Sequence, residues 1–299
     1  MKESEIRPKD IFEEYLRLSK LDIKKFFSND KEREEINCPA CDTKNNENQF
    51  IKDQFNIKLC SSCESLYVSP RPLKDNLDIF YQNSVSSNYW AEIFFPKVAE
   101  KRRDTIFKER VKEITNFCDK NNLSHQNIID VGAGYGIFLE EWKKVHLNDN
   151  TFALEPGEKL AQVCRSKDIV TLEKFSEDAE EWVGKADLVT CFEVFEHVHS
   201  PYDFVNSLKK LLKPNGTLLI SSLTVDGFDI QSLWDISKSI SPPHHLNFLS
   251  IKGIKKLFNR LDLKVLDIST PGKLSARCSS TCSVPKPNNS SLSEPQLGQ

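Results

Sequence analysis

The sequence has no run of 18 apolar residues, so it offers no helix able to cross a bilayer. It also lacks a secretory signal. The N-terminus, MKESEIRPKD, is charged from residue 2 onward and no apolar stretch follows it. Both absences point to a cytoplasmic protein, in a reducing compartment where cysteines serve more often as metal ligands or core residues than in disulfides. A strong excess of one charge is missing too. Lys and Arg number 41 against 44 Asp and Glu, a formal charge of −3. That excludes a chain-wide basic footprint for nucleic acid, though not a local patch. Glycine is scarce, at 10 of 299 residues. What is present, 38% hydrophobic residues, suffices for one large domain or a medium one with additions. Wholesale disorder is thereby excluded. The ten glycines and nine cysteines are placed unevenly, and their placement carries most of the information.

Cys38-Pro-Ala-Cys41 and Cys60-Ser-Ser-Cys63 are two C-x2-C knuckles with 18 residues between them, a spacing suited to a four-cysteine zinc site. Two intervening residues let both thiolates of a turn point at one tetrahedral ion, and a second turn closes the site. A closed site has no open position, so the Zn2+ is expected to be structural. The competing reading is a pair of redox C-x-x-C motifs. In so small a segment, metal binding would supply much of the folding free energy. The module's charges balance (Lys44, Lys52, Lys58, Arg71 against Asp42, Glu47, Asp53, Glu64), which favours bracing the fold over gripping RNA. Cys118, Cys164 and Cys191 sit in apolar or helical contexts and read as buried thiols.

Along the chain, residues 8–27 read as one amphipathic helix with a break near Leu21, and Asn29 to Glu35 as a charged linker. From Ser124, short apolar strands alternate with helices: NIIDVG, TFALEP, DIVTL, ADLVTCF and GTLLISS. The alternation indicates βαβ units and a parallel, doubly wound α/β sheet. The expected organisation is an N-terminal helical segment (1–35), a zinc ribbon (36–72), a helical linker or lid (73–123), a ligand-binding domain (124–274) and a serine-rich, disordered tail (275–299).

Three of the ten glycines lie within five residues, in Asp130-Val131-Gly132-Ala133-Gly134-Tyr135-Gly136, between an apolar strand and a helix. Glycine there lets backbone approach a ligand closely and supplies amide donors at the helix start. Glu155 ends the next strand, where a carboxylate can accept ribose hydroxyls. Asp130 would repel a diphosphate but suits a cationic ligand. An adenosine-type cofactor without phosphate, S-adenosylmethionine, meets both conditions.

These motifs, with ADLVTCFEVFEHV and LKPNGTLLIS following in order, resemble the class I S-adenosylmethionine-dependent methyltransferases across about residues 124–270. With the preceding ribbon ending in LYVSPRP, then FYQNS and YW, the chain is similar to bacterial members associated with sugar and polysaccharide biosynthesis, sugar C-methyltransferases included. The resemblance implies a Rossmann-like sheet with helices on both faces. It implies that Asp130, Gly132, Gly134 and Gly136, with Ala133 and Tyr135 in the same turn, line the methionine half of the cofactor. Glu155 would bind the ribose, and Glu177 or Asp178 would meet the adenine. Phe192, Glu193, Glu196 and His197 would lie beside cofactor and substrate.

Methyl transfer requires an aligned acceptor and a group to take its proton. His125 and His146 lie in polar contexts and read as exposed, unremarkable positions. His199 reads as a helix-entry residue. His244 and His245, in SPPHHLNFLS, lie in a proline-marked loop before a helix opening at Ser250. Related sugar methyltransferases carry a histidine matching His245, which is the candidate base, with His244 and Glu193 as further catalytic candidates. The alternative for His245 is a packed histidine that orders the loop. Tyr81, Tyr89 and Trp90 read as interdomain packing or an acceptor wall. A complete domain of this fold has seven strands. LKVLDIST supplies one strand after the helix at about 251–261, and nothing in the tail supplies another, so the last of the sheet is expected to be missing. The expected acceptor is a small molecule, of nucleotide-linked sugar or polysaccharide-precursor type. The rivals are an RNA methyltransferase gripping RNA with the ribbon, and a non-catalytic cofactor-binding protein.

Overall fold

The computed structural model describes residues 3–28, 32–44 and 47–270. The expectation of a disordered tail at 275–299 lies outside the described residues.

A five-stranded, all-parallel sheet forms the centre. It is built from β6 (Asn127–Val131), β7 (Asn150–Leu154), β8 (Val170–Leu172), β9 (Ala186–Phe192) and β10 (Leu212–Ser221), in the order β10-β9-β6-β7-β8. Period-2 alternation sorts its side chains onto two buried faces. Ile128, Ala153 and Leu188 pack with Phe138, Trp142 and Ile114 from helices Ile137–Val145 and Lys108–Asn121. Ile129, Val131 and Val189 pack with Phe204, Leu208 and Leu257 from helices Pro201–Leu211 and Ile251–Arg260. Helices thus cover both faces, as the Rossmann-like resemblance implies. The chain runs outward from β6 through β8, then crosses back to β9 and β10. The topological switch falls between β6 and β9, and a crevice at such a point is where this architecture holds ligands.

The N-terminal part is more tightly bound to the helices and cysteine module that follow it than sequence reading suggests. Helix Lys9–Phe26 is continuous through Leu21, so the expected break is absent. Its buried Asp22 accepts hydrogen bonds from the Val85 and Ser86 amides (3.2 and 2.7 Å), satisfying the start of helix Val85–Tyr89. Within the expected linker, β1 (Arg33–Glu34) pairs antiparallel with β5 (Arg71–Pro72). One of the linker's charges, Arg33, is docked rather than solvated. Arg33 donates to the carbonyls of Gln54 and Phe27 and lies 4.3 Å over the Phe55 ring.

The cysteine module contributes β2 (Phe50–Lys52), β3 (Phe55–Leu59) and β4 (Leu66–Val68). A fourth strand, β11 (Asn247–Phe248), joins them in the order β11-β4-β3-β2. Buried Cys38, Cys60, Cys63 and Tyr67 share one core with Ile129, Val189 and Leu257 of the central domain. The module therefore does not depend on the metal alone for a core. LKVLDIST, expected as a strand, is not one: residues 263–270 form no ladder and Leu266 is 52% exposed. β10 is an edge of the sheet, and among the described residues no further strand lies beyond it to pair with this segment.

Candidate functional site

The turn after β6 is built on glycine for steric reasons. Gly132, Gly134 and Gly136 have φ of +70°, +55° and +68°, a region costly to side chains. A Cβ at Gly132 would lie 2.4 Å from Val194 Cγ2, and one at Gly136 would lie 2.8 Å from Ile169 Cδ1. At Gly134 a Cβ meets nothing within 4 Å, so this glycine borders open space. Glu155, just past β7, is buried beneath the turn. Its Oε2 accepts from the Gly134 amide (2.8 Å) and its Oε1 from the Gly157 amide (2.9 Å). Burial raises its pKa above the usual carboxylate range, and the two amides oppose that shift. Asp130, at the strand end, is also buried and accepts from Thr190 Oγ1 (2.7 Å). Burial pushes its pKa up to about 7. Ala133 belongs to the same turn. The Tyr135 ring stacks on Phe95 at 4.7 Å, and its hydroxyl donates to the Ala91 carbonyl. Glu177 and Asp178 are exposed on or beside the short helix Ser176–Asp178 after β8.

The opposite wall follows β9. The Phe192 ring packs on Phe138. Glu193 adopts φ +56°, a strained conformation for a non-glycine residue, held by its amide donating to Ser221 O (2.9 Å) and by Ser221 Oγ donating to its Oε1 (2.8 Å). Glu196 is 2% exposed and accepts from Ser222 Oγ (2.9 Å). Burial first, then the Glu193 charge, pushes its pKa up to about 8. The Glu196 carbonyl accepts from the Leu246 and Asn247 amides (2.8 and 3.1 Å), which pins the histidine loop to this turn.

That link brings the His197 and His245 rings to 4.7 Å. Each has its Nδ1 against a carbonyl, His197 on His244 O (2.7 Å) and His245 on Ser239 O (2.6 Å). A carbonyl can only accept, so Nδ1 carries the proton and Nε2 keeps its lone pair. Burial lowers both pKa values, which keeps the rings neutral. His244 is placed differently. Its Nε2 lies 3.2 Å from Ser86 Oγ, its ring packs against Phe80 at 4.8 Å, and burial lowers its pKa to about 3. Tyr81 donates to its carbonyl (3.0 Å). Of the two neighbouring histidines, only His245 joins His197 and Glu196.

Arg110 was not singled out from sequence, because it lies on a helix that reads as linker. Its guanidinium sits 4.2 Å over the Phe192 ring and 3.7 Å from Glu193 Oε1. Burial lowers its pKa, opposed by Glu193 and Asp130. Arg102 is likewise lowered, to about 10, by burial opposed by Glu193. Its Nε is buried without a hydrogen-bond partner. His125 and His146, expected at exposed positions, are instead half-buried. They bond Asp149 (2.7 Å) and Thr115 (2.8 Å) and pack on Trp142, at the amino ends of β6 and β7, opposite the glycine turn.

The four knuckle cysteines converge. Cys38 and Cys63 Sγ lie 3.5 Å apart, as do Cys41 and Cys60, and all four fall within 4.8 Å of one another. Zn–S bonds of about 2.3 Å in a tetrahedron require S···S separations of about 3.8 Å, so this donor set fits zinc. Both knuckles use the same turn. The amide two residues past each Pro-Ala or Ser-Ser pair (Asp42, Glu64) returns to the first cysteine's carbonyl at 2.8 Å, at positive φ.

Residues 99–268, more than half of the chain, match a family model described as "Methyltransferase domain". The "Ubiquinone biosynthesis O-methyltransferase" of Colwellia psychrerythraea is 30% identical over 168 residues, covering 52% of this chain and 68% of that protein. The protein of the same name from Erwinia tasmaniensis is 32% identical over 110 residues, covering 34% of this chain. The chain spans only 44% of that relative's length. A solved structure of the plantazolicin methyltransferase BpumL in complex with SAH has a TM-score of 0.49 and 13% identity, covering 62% of this chain and 73% of that chain.

Proposed function

The chain belongs to the class I S-adenosylmethionine-dependent methyltransferases, and from that premise we propose that it methylates a small, anionic, sugar-type acceptor such as a nucleotide-linked sugar. The observation that carries this reading is the meeting of two walls at the switch point between β6 and β9. One is the glycine turn with Asp130 and Glu155; the other is Glu193, Glu196, His197 and His245. The cationic side chains of Arg102 and Arg110, desolvated beside Glu193, suit an acceptor bearing phosphate.

S-Adenosylmethionine supplies an electrophilic methyl on a sulfonium. In this reading the open space beside Gly134 receives the cofactor, and Glu155 bonds the ribose hydroxyls with its remaining lone pairs. Asp130, ionised, meets the positive charge of the methionine half. His245 takes the acceptor's proton on Nε2, while its Nδ1–H bond to Ser239 holds the ring in place. The four cysteines would hold a structural Zn2+ that fixes β4, and through β11 the histidine loop, to the sheet.

A second reading follows the matched relatives: a phenolic hydroxyl of a ubiquinone precursor as acceptor. Release of S-adenosylhomocysteine, measured against nucleotide-linked sugars and catechol-bearing prenyl phenols, separates the two. Methylation of the sugars is expected, and activity on the phenols alone would replace the first reading with the second. His245→Gln should lower kcat by about 10²–10⁴ with cofactor affinity unchanged. Retention of full kcat would remove His245 from the chemistry.

A further inference from the structure

Glu196, His197 and His245 each present an atom able to ligate a metal, and the three atoms lie within 4.8 Å of one another. They come from the turn after β9 and from the proline-marked loop, which the Glu196 carbonyl bonds join. Three features distinguish this group from ordinary polar packing. First, both imidazoles hand their Nδ1 protons to backbone carbonyls, which leaves Nε2 as donor. This outer bond is the one that fixes tautomer and direction in metal-ligating histidines. Second, the Glu196 carboxylate is almost fully buried, and its one hydrogen bond from a side chain comes from a neutral hydroxyl, Ser222. Third, the Glu193 carboxylate stands on the same turn after β9, held by Ser221 Oγ at 2.8 Å and 3.7 Å from the Arg110 guanidinium. The Glu196 carboxylate and the two neutral imidazoles thus meet without a cation among the side chains hydrogen-bonded to them, whereas Glu193 beside them is exposed and paired with Arg110 at 3.7 Å.

We infer that Glu196, His197 and His245 bind a divalent transition-metal ion that receives the acceptor's hydroxyl. Two imidazoles and a carboxylate suit Mn2+, Fe2+, Co2+ or Zn2+ better than Mg2+. The inference rests on the methyl-transfer reading and refines its acceptor end. The lone pair given above to proton acceptance is the one that ligates, so with the ion bound His245 serves as ligand. The acceptor's O–H bond, acidified on the ion, then breaks toward the Glu193 carboxylate. The oxygen forms its bond to the methyl carbon as the C–S bond breaks, and that electron pair stays on sulfur.

The test is Mn2+ titration of the full, zinc-loaded chain, followed by the electron paramagnetic resonance of free Mn2+. Thiolates discriminate against Mn2+, so the cysteine site stays silent. One Mn2+ per wild-type chain is expected, with affinity reduced more than about tenfold in both Glu196→Gln and His197→Gln while zinc content is retained. Two variants on different side chains guard against a folding defect in one, and thermal melting checks both. Equal Mn2+ affinity in wild type and variants, or no binding by wild type at millimolar Mn2+, overturns the inference. Calorimetry with S-adenosylmethionine on the same wild-type sample reads the underlying proposal separately. Cofactor binding without Mn2+ binding sinks the metal site alone, and loss of cofactor binding sinks the methyl-transfer reading.

Discussion

Two glycines of the turn after β6, Gly132 and Gly134, should respond to the same substitution in different ways. At Gly132, alanine places a methyl 2.4 Å from Val194 Cγ2, with Val194 Cβ at 3.6 Å and Cγ1 at 3.7 Å. The β-branched valine is stiff at χ1 and cannot swing clear. Left-handed backbone costs an L-residue about 1–2 kcal/mol and overpacking about 1–3, so Gly132→Ala should lose about 2–5 kcal/mol of stability. Val194→Ala in the same background should restore the overpacking share. At Gly134 the added methyl touches nothing and only the conformational cost of about 1–2 kcal/mol applies. That methyl instead occupies space assigned to the cofactor, so affinity should fall more than tenfold, roughly the effect of 1.4 kcal/mol. Equilibrium urea unfolding and calorimetry with S-adenosylhomocysteine measure the two effects. A Gly134→Ala chain that binds cofactor like wild type would refute the placement of the ligand. A Gly132→Ala chain of undiminished stability would refute the packing argument.

Other expectations concern charge, metal and loop. Asp130 has its folded pKa raised to about 7 from 3.8, so its contribution to stability is full below the unfolded value and is lost as pH rises through about 7. A cationic ligand needs the ionised form. Cofactor affinity should therefore rise from pH 6 to 8, with proton release measurable by calorimetry in buffers of different ionisation enthalpy, and Asp130→Asn should abolish that release. Chelation of zinc, or Cys60→Ser, should lower the melting temperature and raise the exchange rate of amides in β4 and β11, since the knuckles share a core with Leu257 and Tyr67. An unchanged melting temperature after verified zinc loss would count against a structural metal. Ser86→Ala leaves the buried His244 Nε2 without its partner and should cost about 1–3 kcal/mol in unfolding experiments while leaving cofactor affinity intact.

The parts legible from sequence were those whose signals are contiguous. β6, the glycine turn and its following helix occupy one short stretch, and Glu155 follows within one βα unit, so strand, turn and carboxylate could be placed without knowing the rest. Cys38, Cys41, Cys60 and Cys63 announce themselves because ligand spacing is set by local turns. The histidine site was legible only as separate candidates. Its assembly depends on the Glu196 carbonyl meeting Leu246 and Asn247, and on β11 pairing with β4 across 180 residues, contacts that no local pattern encodes. Arg110 was hidden because a charge on an amphipathic helix ordinarily faces water. Arg33 misled for the same reason, since its charge is absorbed by carbonyls and an aromatic face far along the chain. LKVLDIST has the alternation of a strand, but among the described residues no strand pairs with it.

The central claim is that the glycine turn and Glu155 hold S-adenosylmethionine. Calorimetry of the cofactor with wild type and Glu155→Gln tests it most directly, because glutamine keeps an oxygen for the Gly134 or Gly157 amide and so spares the turn. Wild type should bind one cofactor per chain, and the variant should bind about 10–100-fold more weakly, the loss of charge-assisted bonds worth about 1.5–3 kcal/mol. Equal affinity in the two, with both chains folded, would contradict the account.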